Sequence, residues 1–184
     1  MTTLILGLAL FFGIHLLPSA PLVRQSLLTR LGEGPYKGLY SVISLLGFIL
    51  IVLGMAVADF RSLWLPPSWA HSVVVPLMLP SFILLAAANM PGNIKRFCRH
   101  PMLWGVTLWA AGHLLANGDL ASILLFGAFA LFSLFDIVSA NRRGAQPQQQ
   151  TLPLSKDLMV VAVGSGAYVF FLLLHTTLFG VAVV

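Results

Sequence analysis

Charge is scarce in this chain. Of 184 residues, 8% are Asp, Glu, Lys or Arg and 59% are hydrophobic, whereas a soluble domain carries about a quarter charged residues. The five acids are Glu33, Asp59, Asp119, Asp136 and Asp157, each in a loop or at the edge of an apolar run. Ion-coupled transporters and proton pumps place an acid at membrane depth, and paired-carboxylate catalysis needs two acids together. The positions found argue against both. There is no Ser/His/Asp arrangement, no Gly-rich phosphate loop and no HExxH zinc motif. A single cysteine, Cys98, excludes an internal disulfide. It lies among Lys95, Arg96, Arg99 and His100, whose positive charge would lower a thiol pKa; the plainer reading is a free thiol at a membrane edge. No Lys or Arg precedes Arg24, and Pro21 follows Ala20, the one plausible cleavage residue. The first twenty residues therefore read as a retained span and not as a signal peptide.

What the chain has is long uncharged runs, which predict an all-α polytopic membrane protein. Six spans are expected in one bundle, over about residues 3–20, 38–58, 73–89, 101–116, 120–138 and 158–183, as a single transmembrane domain. Pro18 and Pro21 thin or kink the first. Trp64, Pro66, Pro67 and Trp69 read as an interfacial segment. Pro76 and Pro80 free backbone carbonyls in the third span, so that helix should be packed by neighbours and not bathed in lipid. Pro101 opens the fourth at a favoured first helical position. A polar linker covers 144–156, with the low-complexity stretch Gln146–Gln150.

The net charge of +5 is a topology signal, because basic and aromatic residues are not interleaved as nucleic-acid binding would require. Arg24, Arg30 and Lys37 lie between spans one and two, Lys95, Arg96 and Arg99 between three and four, and Arg142, Arg143 and Lys156 between five and six. Only Arg61 lies in an opposite loop. Basic loops stay cytoplasmic, so both termini are expected on the non-cytoplasmic side.

The histidines carry what chemistry there is. His71 and His100 stand at helix starts and read as interfacial polar groups. His15, His113 and His175 fall within spans, where a histidine is costly unless used or satisfied. Each has an aromatic residue one turn back (Phe11, Trp109, Phe171) and a small one two turns back (Gly7, Gly105, Ala167), a pattern that would leave a flat slot beside the imidazole. At about 1.5 Å per residue, His15 lies roughly 16 Å from the outer end of its span and His113 about 18 Å from the inner end of its own. In a core of about 30 Å the two differ in height by roughly 4 Å. His175 comes out nearer the outer face. Two axial ligands of one haem meet that height condition; so do two histidines that simply hydrogen-bond to neighbouring helices.

Three stretches bear a resemblance. Gly13-Ile14-His15-Leu16-Leu17-Pro18 with Arg24, then Tyr36 with Leu39-Tyr40-Ser41 and Ser44-Leu45-Leu46-Gly47, then Arg99-His100-Pro101 with Trp104-Gly105 and Leu108 through Asp119, resemble the NnrU family over nearly the whole chain. The resemblance implies a multi-pass protein of the bacterial inner membrane acting in nitrite and nitric oxide metabolism, that is, denitrification. It also implies kinship with the zeta-carotene isomerase of plants and cyanobacteria, a membrane enzyme with haem b. In that relative, histidines of the first helix and of the block after Arg-His-Pro ligate the iron, and the matching positions are His15 and His113. The relative's alternative cysteine ligand corresponds to Ala110 here, which puts ligand switching and isomerase activity in doubt.

The expected site is thus His15 and His113 on the iron, with Gly105 and Trp109 beside the cofactor and Arg99 and His100 on lipid headgroups or haem propionates. The expected partners are membrane lipid and a lipophilic small molecule or nitric oxide, with no nucleic acid; the reaction would be redox or isomerase-like. A non-catalytic scaffold or sensor supporting nitric oxide reductase is the competing class. Arg99-His100-Pro101 with Gly105 is also similar to the motif of isoprenylcysteine-type methyltransferases, but no glutamate follows Glu33, whereas those enzymes rely on acidic residues downstream.

Overall fold

The structure is a computed structural model that describes residues 1–181 and 183. Among the described residues it is helical, with one isolated bridge, Ser62 to Asp119, as its sole β feature. The helices are α1 (Thr2–His15), α2 (Pro21–Leu31), α3 (Glu33–Ala56), α4 (Ala70–Asn89), α5 (Ile94–Phe97), α6 (Pro101–Ala116), α7 (Leu120–Arg142) and α8 (Leu154–Phe179). Four of them, α3, α4, α7 and α8, are long and apolar enough to cross a membrane. At about 1.5 Å per residue, α1 and α6 reach only about 21 and 24 Å, short of a core of about 30 Å.

Differences from the expected boundaries have local causes. Pro18 lacks an N–H and its ring opposes the carbonyl four residues back, so α1 stops at His15 and one 3-10 turn, Leu17–Ser19, follows. Pro21 then sits at the first position of α2, an eleven-residue helix where the sequence reads as a loop. Gly32, at φ 81°, ends it. α8 starts a turn before the expected 158, because Ser155, Lys156 and Asp157 form its first turn, and an acid is favoured there. It stops at Phe179 because Gly180 is left-handed, at φ 71°. The expected sixth span ran to 183; within that end, Ala182 lies outside the described residues.

The chain divides into two compact units. The first comprises residues 1–64 and 119–128, the second 65–118 and 129–184. In the first, α1 lies along α3. Backbones touch because the contact positions are glycines: a Cβ on Gly47 would meet Phe11 N at 2.7 Å, one on Gly7 would meet Ile51 N at 2.6 Å, and Gly54 abuts Leu4. Hydrocarbon offers no hydrophobic drive between helices, so such close van der Waals contact is what holds them. Leu45, Phe48 and Val52 of α3 stay exposed, as a lipid-facing surface does.

In the second unit α4 is central, packed by α6 and α8. It carries both Pro76 and Pro80 and buries Val74, Met78, Ser81 and Ala87, so it is a packed helix, as its prolines require. The Ser81 hydroxyl donates to Gly105 O of α6 at 2.8 Å. On the α8 side, Gly164 abuts Ile83, and Phe82 stacks on Phe171 at 5.4 Å between centroids. The 145–153 stretch is pinned. Asn93 donates its backbone N–H and its side-chain amide to the Asp157 carboxylate, both at 2.6 Å, and exchanges hydrogen bonds with Leu152.

The α1–α3 contact predicts a contrast between two glycines. Gly47→Ala forces two backbones apart and should cost about 1–3 kcal/mol, read as a lower thermal midpoint of the detergent-solubilised protein. Gly13→Ala, with nothing within 4 Å, should leave the midpoint unchanged or slightly raised. Equal midpoints for both variants would show that the glycine contact does not hold this pair.

Candidate functional site

His15 is the last residue of α1, half-buried. Its Nδ1–H donates to Phe11 O, one turn back, at 2.6 Å. A carbonyl accepts only, so the Nδ1 proton is fixed and the lone pair of the neutral ring falls on Nε2. Two aromatic rings set the plane of the imidazole. Phe11 stacks on it at 4.2 Å and 28°, and Tyr40 of α3 meets it edge-on at 5.4 Å. Gly7, two turns back, opens no slot here: the α3 backbone fills that place.

The second unit repeats the device. His113 Nδ1–H donates to Trp109 O at 2.8 Å, again leaving the lone pair on Nε2. The Trp109 indole lies 5.1 Å from the imidazole, tilted 48°, and is itself met edge-on by Phe129 at 5.6 Å. Gly105 is buried at the α4 contact, against Ser81 O and Leu85. Ala110, at the position of the relative's cysteine, is fully buried. His15 and His113 thus each bond through Nδ1 to a carbonyl of their own helix.

One neighbour was not foreseen from the sequence. His175 of α8 stacks near His113, with 6.5 Å between centroids and 27° between planes. Its Nδ1–H donates to Val181 O at 2.8 Å, beyond the end of its helix, and Phe179 packs on the ring at 5.0 Å. The available signal was that His175 is the one other histidine inside a span.

At the opposite end of α6, Arg99 and His100 converge on Asn141 near the end of α7. Arg99 Nη1 donates to Asn141 Oδ1 at 2.7 Å and His100 Nε2 at 2.9 Å. His100 precedes His113 by thirteen residues, or about 20 Å of helix. Together with Lys95, Pro101, Met102, Leu103 and Ala88, Arg99 and His100 line a depression of about 290 Å³. His71 is exposed in the first turn of α4. Burial pushes the Cys98 thiol up, opposed by a weaker contribution from the His100 backbone N–H. Its basic neighbours therefore do not make it an activated thiolate.

Among the described residues, no three His, Cys, Asp or Glu side chains stand close enough to hold a bare metal ion. A porphyrin supplies four donors of its own and needs only one or two from the protein. Imidazoles that ligate a metal through one nitrogen nearly always donate the other N–H to a carbonyl or carboxylate. His15 and His113 each have that arrangement, so the Nε2 of either could hold such an iron.

No match was found among curated proteins or among solved structures. A family model, described as NnrU protein, matches residues 3–183. With that match over nearly its whole length, the chain belongs to the NnrU family.

Proposed function

We propose that the protein is a haem b protein of the bacterial inner membrane that acts in nitrite and nitric oxide metabolism, with His15 and His113 as axial ligands. The observation that carries this reading is the shared tautomer: both span histidines commit Nδ1–H to the carbonyl four residues back. That bond fixes each ring and raises the basicity of Nε2. Phe11 and Trp109 each do two jobs, supplying the carbonyl acceptor and a ring that limits rotation of the imidazole. When bound, such a haem, held by two imidazoles, would supply one-electron exchange. His175, within ring contact of His113, is the titratable side chain placed to hold or pass a proton there.

The proposed topology has six spans, with α1 and α6 as the short ones and both termini non-cytoplasmic. A short span is accommodated by local thinning of the bilayer at modest cost. Nine of the ten Lys and Arg residues then face the cytoplasm and Arg61 the other side.

Two measurements test these statements. The protein purified in mild detergent from haem-replete cells should show a Soret band and a reduced-minus-oxidised difference spectrum. The band should be lost in His15→Ala and in His113→Ala and kept in His71→Ala. A colourless wild-type protein sinks the haem and leaves the scaffold or sensor reading. For topology, an alkaline phosphatase fusion at Gln148 should be inactive and one at Trp64 active; the reverse pattern would overturn the charge argument.

A further inference from the structure

The depression at the start of α6 is cationic on one wall and apolar on the other. Lys95, Arg99 and His100 make the polar wall; Ala88, Met102 and Leu103 make the apolar one. No carboxylate lines it. The acids of α7 and α8 are engaged elsewhere, Asp136 with Arg143 and Asp157 with Asn93. Among the described residues, Lys95, Arg96 and Arg99 make no ion pair. Arg99 and His100 are held by Asn141 Oδ1, a neutral acceptor that orients them without cancelling charge. The field in the depression is therefore positive and unbalanced.

Neighbouring side chains place this surface at the membrane boundary. Phe97 is 87% exposed, and the Arg96 guanidinium stands 5.9 Å from its ring centroid. Met102 and Trp104, in the first turn of α6, are also exposed. Large apolar side chains left bare among cations are suited to the headgroup layer, where ring and methylene face the acyl chains and charge faces water. The cations alone would suit a soluble anion. The apolar wall, continuous with the exposed side of α6, has a use only for a ligand that carries a hydrocarbon chain below its charge.

We infer that this depression binds the phosphate of an anionic phospholipid, between Lys95 and Arg99, with the upper acyl carbons on Met102 and Leu103. Basic pockets beside transmembrane helices on the cytoplasmic side meet such headgroups. The inference does not depend on haem, and its readout is separate from any absorbance.

The test is native mass spectrometry of the full chain, delipidated in neutral detergent. Phosphatidylglycerol and phosphatidylcholine with the same acyl chains are offered at equal concentration. The wild type should retain phosphatidylglycerol in preference. Lys95→Gln combined with Arg99→Gln should weaken that retention at least about tenfold, since each basic residue near an anionic headgroup contributes about a factor of five. Lys156→Gln should leave it unchanged. If the double variant aggregates, Met102→Glu places a carboxylate at an exposed rim position and should weaken retention in the same direction. Equal retention of the two lipids by the wild type overturns the inference. So does unchanged retention in Met102→Glu or in a folded double variant. Displacement of phosphatidylglycerol by inorganic phosphate alone overturns the lipid assignment in favour of a soluble phosphate site.

Discussion

Hydrocarbon gives a polar group no water to turn to, and the placement of polar side chains in this chain follows from that constraint. The dominant solution is the carbonyl one turn back on the same helix. His15 uses Phe11 O, Thr107 uses Leu103 O, His113 uses Trp109 O, and Asn117 uses His113 O. A helical carbonyl already accepts a backbone N–H, but its second lone pair remains available. Such bonds need no partner helix and survive any rearrangement between helices. Ser81 differs: it donates across to Gly105 O of α6 and ties two helices at a point where both are close enough for the hydroxyl to reach. The four-residue bond also has a chemical consequence for histidine. It settles which nitrogen holds the proton, so one local interaction both offsets part of the cost of burying the ring and fixes its tautomer.

The same environment removes the hydrophobic effect as the force between helices, which leaves shape. In the first unit Gly7, Gly47 and Gly54 let α1 and α3 meet backbone to backbone, and in the second Gly105 and Gly164 do so around α4. Larger apolar side chains then point outward, Leu45 and Phe48 on α3, Val169 and Leu173 on α8. Close contacts thus fall at small residues, while many large apolar side chains remain exposed as a lipid-facing surface would have them. Gly105 illustrates how it redirects a sequence reading. As a small residue two turns before a histidine it suggests room for a flat cofactor; in the fold, α4 occupies that room.

Most of the helices were legible in the sequence because their ends are chemically marked. Pro101 at the start and Asn117-Gly118 at the end bound α6 at the expected residues. Where the marks were polar residues inside a helix, legibility failed. Arg24 and Arg30 made α2 read as a loop, although its Pro21 start and Gly32 stop are regular helix signals. The first turn of α8 was lost for the same reason, since Lys156 and Asp157 lower hydropathy without opposing a helix. Pairings between distant segments were less legible still. Nothing in the spacing links Asn93 to Asp157, or Arg99 and His100 to Asn141, because such bonds depend on how loops fold back over helix ends.

The histidines show both limits at once. Cost at depth marks His15, His113 and His175, and the structure gives His15 and His113 the same partner geometry. Counting residues from a helix start put His175 at another height, yet it stands against His113. The count treats every helix as upright, whereas spans tilt on average by about 20°, and an imidazole reaches several ångströms from its own axis. The 6.5 Å between the two ring centroids itself takes up most of the height difference that the count assigned. What distinguishes His175 is its acceptor. Its Nδ1–H goes forward to Val181 O, past the left-handed turn at Gly180, and not back to a helical carbonyl. Its ring is positioned by the chain beyond the helix and those of His15 and His113 by the helix itself. That difference separates two histidines oriented by their own helix from one whose orientation follows the C-terminal turn.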